Sequence, residues 1–172
     1  MNLNKSTFFI SYVALVSSAA FVSRLVFQSI PNMQPLTDII IMSSLFISSY
    51  FGSLIAILSM FISNIYLGMG PWTIAQIIAY LIICLTIKLA KRFLIKSSII
   101  VRALFSGFLG YLYGFIISLI QAPFIGIDIF WVYYLQGITF DSLHAVGNIL
   151  FYFILEPVIK PIFLKMKNRI SS

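Results

Sequence analysis

Long apolar runs, each ended by proline, glycine or a cluster of charges, set the pattern of this chain. A helix that crosses a bilayer needs about 20 predominantly apolar residues, somewhat fewer where it is short or untilted. Read that way, the pattern predicts six spans, at roughly 7–28, 37–50, 52–67, 73–89, 99–121 and 141–164. The stretch Ser29-Ile-Pro-Asn-Met-Gln-Pro35 separates the first two, because prolines cannot sit inside a helix without cost. A Tyr50-Phe-Gly52 corner joins the second and third, and Gly68-Met-Gly-Pro-Trp72 breaks the chain before the fourth. Between the fifth and sixth lies a loop carrying Pro123, Gly126, Asp128 and the aromatic residues Trp131, Tyr133 and Tyr134.

Composition turns this pattern into a class. The chain has 172 residues, 61% hydrophobic and 9% charged, whereas a soluble domain carries about 25% charged residues. It cannot cover itself with polar surface, so the expected fold is an all-α integral membrane protein, one transmembrane domain over 1–172. The net charge of +7 would suit nucleic acid, but its distribution points elsewhere. Lys5 precedes the first span, Lys88, Lys91, Arg92, Lys96 and Arg102 surround the fourth-to-fifth turn, and Lys160, Lys165, Lys167 and Arg169 close the chain. With six spans all of these fall on one side, which the positive-inside rule makes the cytoplasm. Asp38, Asp128 and Asp141 fall on the other. The charge therefore reads as topology, with both termini inside, and not as nucleic-acid binding.

Two features add little. Cys84 lies in an apolar run and is read as a packing residue with no disulfide. Lys5, the apolar run after it and Ser17-Ser-Ala-Ala20 loosely fit a signal peptide, but the run continues to Phe27, long enough to span.

The few polar groups at membrane depth carry most of the information, since such groups are costly and usually face the bundle interior. Arg24 stands near the outer end of the first span. It either snorkels to the headgroups or turns inward to pair with Asp38 or Asp141. Asp141, His144 and Asn148 sit at i, i+3 and i+7, on one face of the sixth helix, with Tyr152 continuing the stripe. One His with one Asp is a poor metal set, and no serine carries an elbow-type motif that would make a hydrolytic site. Interhelical hydrogen bonding and ligand contact remain as the two readings of the stripe. Trp72, Gln76 and Tyr80 share a face of the fourth helix, and Asn64 lies near the outer end of the third. Together these place aromatic rings, amides and an acid–base pair around one outer cavity, the usual composition of a small-molecule pocket. On the first helix, Ser11, Ala14 and Ser18, with Ala19 and Ala20 one step off, form a small-residue face. Such a face lets another helix approach closely, within the chain or from a partner.

Pro31-Asn-Met-Gln-Pro35, Leu67-Gly-Met-Gly-Pro-Trp-Thr73 with Gln76, and Phe140-Asp-Ser-Leu-His-Ala-Val-Gly-Asn148 resemble motifs of the substrate-binding S components of energy-coupling factor (ECF) vitamin transporters. The resemblance covers nearly the whole chain and is nearest to the cobalamin-type branch. It implies a six-helix protein of the bacterial plasma membrane that binds a vitamin from outside, without cofactor, metal or enzymatic activity. It implies that Asn32, Met33 and Gln34 cap the site, and that Trp72, Gln76, Tyr80, Trp131, Asp141, His144 and Asn148 line it. It also implies docking on a shared transmembrane coupling protein carrying two ATPase subunits. The docking motif typical of the first helix would correspond here to Ala14-Leu-Val-Ser-Ser18, with serine at its second small position. No Walker-type glycine loop occurs, in keeping with ATPase activity residing elsewhere. Arg24 is expected to pair with Asp38 and organise the capping loop.

Two other classes compete. A stand-alone secondary carrier would favour inverted repeats and ionisable residues at the midplane; no convincing repeat is visible, and the acids cluster at the outer level. A small membrane enzyme would need a convergent catalytic set, and none assembles.

Overall fold

The computed structural model describes residues 3–126 and 130–171, and its elements are all helices. They are α1 (Leu3–Val26), α2 (Leu36–Met42, continued by a π-helical turn at Ser43–Ile47), α3 (Ser49–Leu67), α4 (Pro71–Lys96), α5 (Ile99–Ile125) and α6 (Phe130–Ser171). Asp128 lies outside the described residues. Among the described residues, four stretches are long and apolar enough to cross a membrane: Lys5–Val26, Ser49–Leu67, Pro71–Lys96 and Ile99–Phe124. The chain is therefore built as a membrane-embedded helical bundle.

Local chemistry explains the boundaries. Ser48 is extended (φ −160°, ψ 154°), and its hydroxyl accepts from the Phe51 amide at 3.1 Å, capping α3. Pro71 opens α4, where its missing N–H costs nothing. Ser98 caps α5 by accepting from the Val101 amide at 3.4 Å.

α2 differs from its neighbours. Every residue from Leu36 to Ile47 is buried, the polar Thr37, Asp38, Ser43 and Ser44 included. It is the central rod of the bundle, and the other helices surround it. At a rise of about 1.5 Å per residue, Leu36–Ile47 is far shorter than a hydrocarbon core of about 30 Å.

α6 departs from expectation in the other direction. The predicted loop before the sixth span is helical from Phe130, so Trp131, Tyr133 and Tyr134 lie on its first turns. The physical reason is ring packing. Phe130 stacks on Tyr134 (centroids 6.2 Å), and Tyr134 meets Phe115 of α5 edge-on at 5.4 Å. Neither proline nor glycine interrupts this turn before Gly137.

α5 and α6 approach closely along Gly107, Gly110 and Gly114. A Cβ at Gly110 would lie 3.0 Å from the Ala145 Cα, and one at Gly107 would lie 2.8 Å from the Ile149 side chain. Small residues let the two backbones meet where larger ones would hold them apart.

The bundle has two chemically distinct ends. At one end Arg102 and Glu156 form a buried bidentate ion pair, and Lys160 adds a second cation 3.5 Å from Glu156. Lys160 also lies over the Phe46 ring at 5.5 Å, and Arg169 over Phe8 at 6.0 Å. These contacts gather the start of α1, the end of α2, the α4–α5 turn and the last turns of α6. The opposite end holds the cavity.

Candidate functional site: a polar-floored cavity

The cavity has a volume of about 540 Å³, and all six helices contribute to its wall. Arg24 comes from α1, Thr37 from α2, Met60 from α3, Trp72, Gln76 and Tyr80 from α4, Tyr113 and Gln121 from α5, and Asp141 and His144 from α6. Asn32 and Gln34 of the α1–α2 loop also face it.

Its floor is a hydrogen-bonded junction centred on Thr37. The Thr37 hydroxyl bonds to the Tyr80 hydroxyl at 2.9 Å and to Nε2 of His144 at 2.9 Å. One hydroxyl has a single hydrogen, so at least one of the two neighbours must donate to it. The junction ties the central rod to α4 and α6 at once. Tyr113 completes the floor: its ring lies 4.7 Å from that of Tyr80 and meets the His144 ring edge-on at 5.2 Å.

One wall is an amide relay. Arg24 donates to the Ser63 hydroxyl and, at 2.9 Å, to Oδ1 of Asn64. The Asn64 amide then donates to Oε1 of Gln76 at 2.7 Å and to the Thr73 hydroxyl at 3.1 Å. Each step fixes the next side chain, so Gln76 reaches the cavity with its amide orientation set. The opposite wall is Asp141, 7% exposed, whose carboxylate rests directly over Gly114. Any Cβ at position 114 would occupy the space of that carboxylate.

The roof is a short strap. Asn32 takes a left-handed conformation (φ 56°) and donates its side-chain amide to the Phe140 carbonyl at 2.9 Å. Asn is one of the residues that tolerates this region of backbone space. Behind it, Met33 packs on the backbone of Gly147. At the rim, Tyr133 donates to Oε1 of Gln121 at 3.0 Å, joining the end of α5 to the start of α6.

No protein-family model, no curated protein and no solved structure matches this chain.

Of the residues singled out from sequence, Asn32, Gln34, Trp72, Gln76, Tyr80, Asp141 and His144 all line the cavity. Met33, Trp131 and Asn148 do not. Met33 is turned toward α6, and Trp131 is 65% exposed on the outer ring cluster with Phe130 and Tyr134. Asn148 is wholly buried one level below the floor, where it donates to the Ser106 carbonyl at 3.1 Å and bridges α6 to α5.

The expected Arg24–Asp38 pair is not formed. Arg24 lies against α3 and is satisfied there, whereas Asp38 accepts from the Ser106 hydroxyl of α5. Helix geometry accounts for this: successive residues turn by about 100°, so with Thr37 facing the cavity Asp38 faces away from Arg24. Ala14 and Ser18 are exposed on α1, and the Ser18 hydroxyl is returned to the Ala14 carbonyl at 2.8 Å. That leaves a small, hydrogen-bond-satisfied outer face.

Sequence reasoning missed Thr37, Tyr113 and Gly114. Thr37 reads as an ordinary first residue of an apolar span. The Gly107, Gly110, Gly114 spacing was a usable signal, the same kind of small-residue stripe as on α1, and it marks the wall on which Asp141 sits.

Proposed function

We propose that this chain is the high-affinity substrate-binding subunit of an ECF-type importer, capturing a vitamin or related micronutrient in the cavity and delivering it inward after docking on an ATP-driven coupling module. The observation that carries the reading is the cavity itself: an open-mouthed chamber at one end of a membrane bundle, with aromatic walls and polar groups preset by their hydrogen bonds. Such composition and volume suit a small organic ligand, for which pockets of about 300–1,000 Å³ are usual.

In this reading the bundle crosses the membrane six times, with α2 and part of α6 completing the four long apolar helices. Both termini are cytoplasmic, and the cavity opens outward. The clustering of Arg102, Lys160 and Arg169 at the end away from the cavity supports that orientation. Binding needs no chemistry: His144 is engaged by Thr37, and Asp141 forms no hydrogen bond with it. The exposed Ala14–Ser18 face supports docking of the coupling protein.

The cobalamin-type resemblance makes a corrinoid the first substrate to try. A cavity of about 540 Å³ takes a one- or two-ring compound whole and a corrinoid by one edge, so both belong in the test. The purified chain should bind its vitamin without ATP and co-purify with a coupling module when co-expressed.

A stand-alone secondary carrier is the alternative. The observation in its favour is the α6 face carrying Asp141, His144, Asn148, Tyr152 and Glu156, a buried polar file running from the cavity to the opposite end. Ion-gradient-driven uptake by the isolated chain in liposomes would decide for the carrier and against the importer subunit.

A further inference from the structure

Asp141 is a buried carboxylate with no partner of its own. Among the described residues nothing donates a hydrogen bond to it and no cation pairs with it, although it is 7% exposed and lines the cavity. Three of its neighbours on the same helix face are engaged: His144 by Thr37, Asn148 by the Ser106 carbonyl and Glu156 by Arg102. The other charge on the cavity wall, Arg24, is committed to Ser63 and Asn64.

Keeping a mostly buried carboxylate unpaired is unfavourable, yet the fold makes room for it. Gly114 is the one residue type that leaves space for the Asp141 carboxylate, since any Cβ would collide with its Cγ and both oxygens. The site is thus shaped around an acceptor whose donor comes from outside the chain.

The geometry points to Asp141 as the recognition group for a positively charged or N–H-donating nitrogen group of the substrate, such as an ammonium, a ring-nitrogen cation, an amino-heterocycle or a carboxamide. This deepens the proposed function and rests on it. A ligand presenting only a carboxylate to this wall would set two acceptors against each other. A nitrogen donor instead supplies the charge-assisted bond that the carboxylate lacks, and such bonds are among the stronger ones in proteins. Arg24, Gln76 and the Thr37 junction then read the remainder of the molecule.

The test uses the full-length protein in detergent and the variant Asp141→Asn. The probes are thiamine and pyridoxamine, which carry cationic nitrogen, cyanocobinamide, which carries amide N–H donors, and lipoate and nicotinate, which end in carboxylates and have no N–H donor at neutral pH. The expected result is tight binding confined to the probes with cationic or N–H-donating nitrogen, a loss of at least tenfold in Asp141→Asn, and a ligand-free thermal midpoint that is unchanged or higher in the variant. A variant is not lost to misfolding here, because removing an unpaired charge relieves the free protein. Tight binding confined to lipoate or nicotinate, unchanged affinity in the variant, or a lowered ligand-free midpoint overturns the assignment of Asp141 alone. Failure of every probe, with no small molecule co-purifying by mass spectrometry, overturns the binding reading beneath it.

Discussion

The carboxylate of Asp141 on α6 occupies the space where Gly114 on α5 lacks a side chain. Two helices therefore share one volume: the glycine supplies it and the acid fills it. Gly114→Ala forces one of them to move. Overpacking of this kind typically costs about 1–3 kcal/mol, and here it also displaces a cavity wall. The variant should lose thermal stability and ligand affinity together. Gly137→Ala meets nothing within 4 Å and should instead gain the stability of about 0.5–1 kcal/mol that alanine confers in a helix.

Thr37 is the single hydroxyl between Tyr80 and His144. Thr37→Val keeps the shape and removes both bonds, leaving two buried polar atoms unsatisfied at about 1–3 kcal/mol each. Thermal unfolding should show the loss, and Thr37→Ser should restore most of it. An equal loss in both variants would mean that the methyl group, and not the hydroxyl, matters.

The Arg102–Glu156 pair has side chains only 7% and 4% exposed. Removing Glu156 strands Arg102, so Glu156→Gln should cost about 3–5 kcal/mol in denaturant titrations, and Arg102→Gln should cost less, since Lys160 remains 3.5 Å from Glu156. The double variant Arg102→Met with Glu156→Leu should recover much of that, because the stranded charge is gone. Recovery no better than either single variant would show that the bonds from Arg102 to the Leu94 and Ser97 carbonyls carry the stability.

Trp72 and Asn148 were grouped together by sequence and are separated by structure. Trp72 is 46% exposed at the cavity, whereas Asn148 is fully buried beneath it. Trp72→Ala should weaken ligand binding at unchanged thermal stability. Asn148→Ala should do the reverse, lowering the midpoint through loss of its bond to Ser106. Titration calorimetry beside thermal scans separates the two.

The exposed Ala14–Ser18 face gives a prediction about uptake rather than binding. Ala14→Trp or Ser18→Trp should leave the binding constant of the purified chain intact and abolish accumulation in cells, since bulk on a small-residue face blocks close helix approach. Parallel loss of binding would assign that face to packing within the chain.

Much of the bundle was legible because burial in lipid leaves a coarse signal. Prolines at Pro31, Pro35 and Pro71 and the glycines before Trp72 mark real helix boundaries. The extent of α6 was not legible, because Pro123 and Gly126 look like breakers, while the ring packing that holds Phe130 in a helix is made with Phe115 on another element. The cavity wall was half legible for a related reason. Trp72, Gln76, Asp141 and His144 stand out as polar or aromatic among apolar neighbours. Thr37 and Gly114 do not, since their importance lies in what they touch. Arg24 was misassigned because charge alone suggests an acid as partner, and the structure answers it with a hydroxyl and an amide.

The brevity of α2 has an architectural consequence. Leu36–Ile47 is a 12-residue rod, and a full span of about 20 residues would run on for roughly two more turns. Those missing turns are where the chamber lies, with Thr37 as the rod's upper tip and the Asn32 strap arched overhead. The pocket is not carved between helices; it is the headroom above a post cut short. Inserting a helical turn after Pro35 should therefore fill the chamber from below while leaving the surrounding palisade of helices upright.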